Sequence, residues 1–277
     1  MRTDEVTAMP ASAPTPITPA PDRGTREWRA IRVLWRREML RLVRNPMHIV
    51  LMLMNPLLFL FVLGGGLNGV IRGGDYQQFL FPGILVMAAQ APALGVGSSI
   101  IRDREIGFLR GMLVAPVSRG TLLIGKCLGG ATVATVQACL LLCFAGVVGM
   151  SYRPTVLAAL LVELAVVALA LTTAGAFIAV VVRRTETFQA VLGLATMPLL
   201  FLSGALFPPS GLPAGLHVVS LINPLTYAVD ALRRTSGGPA LVTWGGWIPP
   251  VALELLMLAA AGVLALAMGA RRFASET

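Results

Sequence analysis

Long apolar stretches alternate with short breaks that carry arginine. Residues 127–152 contain no Asp, Glu, Lys or Arg, residues 154–182 contain only Glu163, and residues 235–270 contain only Glu254. An uncharged apolar run of ~18 or more residues is long enough to cross the ~30 Å hydrocarbon core as a helix. The pattern therefore predicts an all-α integral membrane protein with six transmembrane helices, at about 47–67, 80–101, 122–150, 155–182, 188–207 and 247–270. Asn55-Pro56 falls inside the first and is expected to kink it, because proline withholds a helical hydrogen-bond donor.

Two segments break the simple pattern. Over 26–44, Trp28, Ile31, Trp35, Met39 and Leu42 recur at spacings of three and four, interleaved with Arg29, Arg32, Arg36, Arg37, Arg41 and Arg44. That arrangement predicts an N-terminal amphipathic interface helix over 25–45, lying in the plane of the membrane surface. Between 187 and 229 there is no formal charge, yet Pro208, Pro209, Gly211 and Pro213 interrupt the run. The pieces 216–222 and 225–232 are too short to cross. Apolar segments that dip in and return are tolerated where protein covers their free backbone groups, so short outer re-entrant helices are expected over about 208–235, turning at Asn223-Pro224. Residues 1–24 hold five prolines among Ala and Thr without periodicity. They are read as a disordered cytoplasmic tail, and they lack the apolar core of a signal peptide. The organisation expected is thus this tail, the interface helix, a transmembrane domain over 46–272, and a short cytoplasmic tail at 273–277.

Composition agrees: hydrophobic residues make up 56% of the chain and charged residues 13%. The net charge of +9 is spread over breaks between spans rather than gathered on a soluble basic surface, which argues against nucleic acid as a partner. With the N-terminus inside, eighteen of the 22 Lys and Arg fall in inside segments and four (Arg72, Arg153, Arg233 and Arg234) outside. Under the positive-inside rule both termini are expected in the cytoplasm, in a multi-pass protein of a bacterial plasma membrane contacting its lipids. Cys127, Cys139 and Cys143 share one apolar segment and read as small buried residues rather than a disulfide framework. Gly125, Gly129, Gly130, Gly262 and Gly269 are expected to let helices approach closely.

Gly120 to Cys127 nearly matches the phosphate-binding pattern G-x-x-x-x-G-K-[ST]. Cysteine replaces the magnesium-binding hydroxyl, and the glycine-lysine pair leads into a membrane helix instead of following a strand, so no nucleotide site is expected here.

The informative break is 102–126. It contains Glu105-Ile106-Gly107, an apolar stretch through Val114, Pro116-Val117-Ser118-Arg119, and Gly125-Lys126. Further on come Leu202-Ser203-Gly204, Phe207-Pro208 and Asn223-Pro224-Leu225-Thr226-Tyr227. In these elements the chain resembles the ABC-2 type transporter permeases over roughly 26–272, most of all the daunorubicin/doxorubicin-type drug-efflux permeases. It departs from them at Arg110, where the family commonly has an acidic residue. The resemblance implies an export permease moving an amphipathic compound (a drug, a lipid or a glycan-linked molecule), as in multidrug efflux. It implies no catalytic residue, metal or cofactor in this chain, with ATP and magnesium held by a separate ATP-binding-cassette ATPase subunit. It also implies pairing with a second copy or a related permease. A coupling helix over about 103–114 would seat on the ATPase, with Arg102, Asp103, Arg104, Glu105, Gly107, Phe108, Leu109, Arg110 and Met112 as its contact residues.

Glu163 and Glu254 are lone carboxylates within spans, each costing on the order of 2.5–3.5 kcal/mol unless partnered. They are candidates for the substrate path or gate, together with Asn223 and Tyr227. The other reading for the two glutamates is a structural hydrogen bond to Ser, Thr or a nearby arginine such as Arg153 or Arg233. Two other functions are weighed: a proton-coupled secondary transporter, which the two glutamates would suit, and a membrane-embedded lipid-modifying enzyme, for which the outer loops offer only scattered polar residues.

Overall fold

The computed structural model describes residues 23–68, 76–106, 118–150, 153–182 and 184–275. The described residues are mostly helical, with a longer loop over 236–250 that holds a Trp244–Trp247 bridge, and six helices among them are long and apolar enough to cross a membrane. In chain order the main helices are α1 (Arg23–Arg44), α2 (Pro46–Leu58), α3 (Gly65–Asn68), α4 (Tyr76–Glu105) and α5 (Arg119–Leu142). They are followed by α6 (Pro154–Val181), α7 (Thr185–Leu202), α8 (Ala214–Ile222), α9 (Pro224–Thr235) and α10 (Val251–Ser275).

The spans fall where the apolar runs place them, with differences at the ends. The second reaches further in both directions, to Tyr76 and Glu105. The third ends at Leu142, well before residue 150, and the chain continues in turns through Gly149, whose φ of 79° lies in the left-handed region. The fifth stops at Leu202 rather than at 207. There the Ser203 hydroxyl donates back to the Leu200 carbonyl, and Gly204 at φ 78° turns the chain. A Cβ at Gly204 would also meet Leu241 Cδ1 at 2.7 Å, so glycine is required on both counts. Within the first span Pro56 is followed by a π-helical segment, Phe59–Gly64. Proline removes one backbone donor, and a widened turn just beyond it is a common way for a helix to absorb the disruption.

Helix α4 is the axis of the packing. It lies against α5 and α6 along its length, and α2, α7 and α9 also touch it. Close approach explains how. A Cβ on Gly97 of α4 would lie 2.3 Å from a ring atom of Phe188 and 2.6 Å from the Gly175 carbonyl oxygen of α6. On α6 itself, Gly175 faces the Leu94 backbone. Helix α10 packs on the far side of α6, with Gly262 against Ala170 and Gly269 near Phe177. Helix α1 lies along α5, where Gly125 and Gly129 accommodate Leu34 and Glu38 and the Trp35 indole donates to Thr132 Oγ1 at 3.1 Å. Gly130, one residue on, faces Val96 of α4 and Thr172 of α6. Of the glycines singled out from the sequence, Gly125, Gly129, Gly130 and Gly262 therefore serve close approach and Gly269 makes ordinary contact, while Gly97 and Gly175 add a further close approach between α4 and α6.

In contrast, α2 and α7 sit at the edges of α4 and keep wide apolar faces exposed, with Leu194 on α7 80% exposed. Helices α8 and α9 form a helix–turn–helix at the end of the bundle remote from Arg102. The Asn223 side chain caps α9 by accepting from Leu225 N–H at 3.0 Å, and Pro224 occupies the first helical position. Every residue of α9 from Leu225 to Arg233 is buried.

Because the Gly97 contact is with backbone as well as a ring, Gly97→Ala should separate α4 from α6 and α7. Overpacking of this kind costs about 1–3 kcal/mol. We expect a lowered melting temperature of the detergent-solubilised protein, measured by scanning fluorimetry, and a smaller loss for Gly66→Ala, where added atoms meet open space.

Candidate functional site

Three constellations of polar residues stand out in an otherwise apolar bundle. The first joins four helices at the bundle end that carries Arg102. Lys126, 8% exposed, forms an ion pair with Asp103 and also donates to the carbonyl and hydroxyl of Ser99, both at 3.2 Å. Arg37 of α1 approaches the same Asp103 carboxylate at 3.9 Å. Glu105, at the last turn of α4, accepts from the Thr185 backbone N–H at 3.1 Å and from its hydroxyl at 3.0 Å. Thr185 opens α7, so Glu105 satisfies a donor that the helix itself leaves free, and its charge suits that helix end. Ser118 caps α5 by accepting from Thr121 N–H at 3.2 Å. The segment between Ile106 and Ser118 is thus tied at one end to α7 and at the other to α5, and through Asp103 and Lys126 to α1.

Of the expected contact residues, Asp103 and Glu105 belong to this joint, and Arg102 is exposed beside it. Gly107, Phe108, Leu109, Arg110 and Met112 lie outside the described residues. Thr185 had no cue in the sequence beyond its place after Arg183-Arg184, and Lys126 was read only as the end of a motif.

The second constellation is a cavity of about 990 Å³. Helices α4 and α5 contribute its back, α2 and α7 its sides, and Glu38, Arg41 and Leu42 of α1 its basic end. The five charged residues that line it, Glu38, Arg41, Arg102, Asp103 and Lys126, all belong to that end. Deeper, the lining becomes uncharged: Asn55, Gln90, Gln137 and Thr196 among Met52, Met87, Met197 and Leu200. Glu163, Glu254, Asn223 and Tyr227 do not line it.

They are arranged instead along α9, Asn223 and Tyr227 in its first turn and the two glutamates against its last. Glu163, 4% exposed, accepts from the Thr235 hydroxyl. Fully buried Glu254 lies 3.6 Å from Arg234, whose guanidinium is also 3.9 Å from Asp230 and donates to the Pro249 carbonyl. Asp230 in turn accepts from the Leu241 N–H. Arg233, 2% exposed, points away from this group. It donates to the Phe79 carbonyl at 2.7 Å and the Gly204 carbonyl at 3.1 Å, and it covers the Phe79 ring at 3.8 Å. Asn223 donates to the Leu199 carbonyl at 2.7 Å, and Tyr227 to the Leu221 carbonyl at 2.7 Å. The partners are Thr235 for Glu163 and Arg234 for Glu254, whereas Arg233, one of the two arginines suggested by the sequence, bonds to backbone carbonyls instead. Asp230 was legible only as one of several scattered polar positions, because nothing along the chain shows that a short helix will bury it.

Six apolar helices long enough to cross a membrane, joined at one end through Asp103, Lys126, Glu105 and Thr185, define a multi-pass helical membrane protein. Residues 29–235 match the family of ABC-2 type transporters, and the chain belongs to that family. A protein of Cyanophora paradoxa named as transport permease ycf38 is 31% identical over 210 residues, covering 73% of this chain and 72% of the relative. Nodulation protein J of Rhizobium meliloti (strain 1021) is 30% identical over 224 residues, covering 79% of this chain and 85% of the relative. YbhR of Escherichia coli (strain K12), named as a multidrug ABC transporter permease, is 29% identical over 172 residues, covering 58% of this chain and 44% of the relative. Membership in this family implies work with an ATP-binding-cassette ATPase subunit.

Removing one partner of a buried ion pair leaves the other charge uncompensated, at about 3–5 kcal/mol. Arg234→Met, which strands Asp230 and Glu254, is expected to lower folded yield and melting temperature sharply. Arg41→Met breaks the exposed Arg41–Glu38 pair and should change stability by no more than about 1 kcal/mol. Guanidinium or thermal melts of the purified variants compare the two.

Proposed function

We propose that this chain is the permease subunit of an ATP-driven exporter that carries an amphipathic compound outward across a bacterial plasma membrane. The observation that carries the reading is the joint at the basic end. Segment 107–117 would dock on the ATPase through Gly107, Phe108, Leu109, Arg110 and Met112, flanked by Arg102, Asp103, Arg104 and Glu105. A displacement of that segment would pass to α7 through the paired Glu105–Thr185 hydrogen bonds, and to α5 and α1 through Asp103 and Lys126. Helix α7 has few other contacts with its own subunit, so it is the span that such a pull moves most readily.

The remaining placements follow from the charge distribution. Both termini and the joint lie in the cytoplasm, α1 rests at the inner interface, and α8 and α9 dip into the outer leaflet as re-entrant helices. The exposed apolar edges of α2 and α7 face a second copy or a related permease, and two such subunits work with two copies of the ATPase, which holds the ATP and magnesium. Nodulation protein J and YbhR, one by its name tied to nodulation and the other to multidrug transport, mark the range of exported compounds open to the family. The buried group at α9 suits a structural brace of the outer gate, in which Glu163 and Glu254 hold α9 to α6 and α10 while Asn223 and Tyr227 hold the turn.

The test is reconstitution of the chain with its ATPase in vesicles. Glu105→Ala should leave ATP hydrolysis near the wild-type rate but lower export about tenfold or more, the factor given by about 1.4 kcal/mol of lost coupling. Cysteines at 108 and 112 should crosslink to the ATPase from the cytoplasmic side. Export that persists when the ATPase cannot bind nucleotide would overturn the reading in favour of a proton-coupled carrier. In the same vesicles, Glu163→Gln and Glu254→Gln separate a brace from a path: a brace loses stability and export together, while a path residue loses export with its melting temperature intact.

A further inference from the structure

The loop over 236–250, which leads from α9 into α10, carries no Asp, Glu, Lys or Arg, yet it holds two of the four tryptophans of the chain. It has a defined shape. Trp244 and Trp247 exchange backbone hydrogen bonds at 2.8 and 3.1 Å, closing a two-residue hairpin on Gly245 and Gly246. The φ angles of those glycines, 58° and 92°, are both left-handed, as the tightest hairpin turn demands. The Trp244 ring lies 5.7 Å from that of Trp247 and stands edge-on to Tyr227 of α9 at 6.3 Å. Two bonds also pin the loop to α9: the Leu241 N–H donates to Asp230, and the Pro249 carbonyl accepts from Arg234. The hairpin is therefore a fixed extension of α9 and α10.

What it presents is apolar. Trp247 is 52% exposed and Ile248 48%, and Trp247 stands four positions before Val251, where the last span begins. Three surroundings could cover such a pair. A surface for stacking sugars needs carboxylates or amides beside the rings to bond hydroxyls. In this loop only Ser236 and Thr243 have aliphatic hydroxyls, and Ser236 already donates to the Leu232 carbonyl. A second copy is poorly placed, because the open apolar edges lie on α2 and α7, whereas α10 packs on α6, α9 and α5. Lipid fits. Helix α10 carries the same apolar exposure onward at Leu256, Val263 and Leu264. An indole at the end of such a span can hold its ring against hydrocarbon and its N–H among headgroups, the level that tryptophan favours. The paired backbone of the hairpin suits that level too, since peptide groups left unbonded near hydrocarbon are costly.

We propose that the Trp244–Trp247 hairpin is a membrane-interface anchor, with Trp247 and Ile248 seated at the headgroup level of the lipid around α10. Because the loop is pinned to Asp230 and Arg234, the anchor also fixes how deep α9 sits. The inference goes beyond the export reading and stands without it.

Tryptophan quenching in the full-length protein, reconstituted in phosphatidylcholine vesicles, tests the anchor. The Trp247 signal is the emission of the wild type less that of Trp247→Phe. Lipid brominated beside the headgroup should roughly halve that signal, and lipid brominated at the chain ends should change it little, because an indole settles at the interface. Aqueous iodide should quench it several times less than it quenches free tryptophanamide. Ile248→Trp adds a reporter at the next position without removing one. Its added emission should follow the same pattern, which keeps the test decisive if Trp247→Phe fails to fold. Iodide quenching equal to that of tryptophanamide would put the hairpin in water. Protection from all three quenchers would put it beneath a second copy or another protein, and strongest quenching from the chain ends would put it in the hydrocarbon centre. Any of these results overturns the proposal.

Discussion

A polar group placed in hydrocarbon has no water to bond to, and this single constraint organises the molecule. It forces the backbone into helices, since each helix satisfies its own peptide groups. It also forces every buried side-chain charge toward a partner or a cavity. Lys126 finds Asp103 and Ser99; Arg233 finds two backbone carbonyls and a ring; Arg234 stands among Asp230, Glu254 and the Pro249 carbonyl. Among the described residues, Gln90, Gln137 and Ser220 are uncharged side chains that keep a buried polar atom without a hydrogen bond.

Packing divides the bundle into a firm part and a loose one. Helices α4, α5, α6 and α10 are drawn together by glycines such as Gly97, Gly175 and Gly262, where dispersion replaces the hydrophobic drive that is missing between helices in lipid. Helices α2 and α7 have less to hold them and border the cavity on either side. The Glu105–Thr185 contact joins the loosest span to the end of the most buried one. A mechanism that works by shifting α7 relative to α4 needs little repacking of the firm core, which is the kind of discrete movement packed interiors permit.

Much of this was legible along the chain. The six spans follow from length and charge spacing, the break at 102–126 from its composition, and the helix pair turning at Asn223-Pro224 from the proline and the shortness of its two apolar pieces. Span ends were less legible. Gly204 ends α7 because of its backbone angle, and the stretch after Leu142 turns although its residues are as apolar as the helix before it. The lone glutamates were visible as anomalies in apolar runs. Gln90 and Gln137 stand in runs just as apolar, but an uncharged amide gives a fainter signal than a carboxylate.

By itself, the sequence determined that this chain is a six-span helical membrane protein with its charge gathered in alternate breaks, because hydropathy and spacing are local properties that burial in lipid reads directly. Only the tertiary structure decided which polar residues meet. Glu105 and Thr185 are eighty positions apart, Glu163 and Thr235 seventy-two, and contacts over such distances depend on how helices are arranged around one another. That arrangement set Glu163 and Glu254 against the end of α9, because helix packing selects partners by shape across the bundle and not by order along the chain.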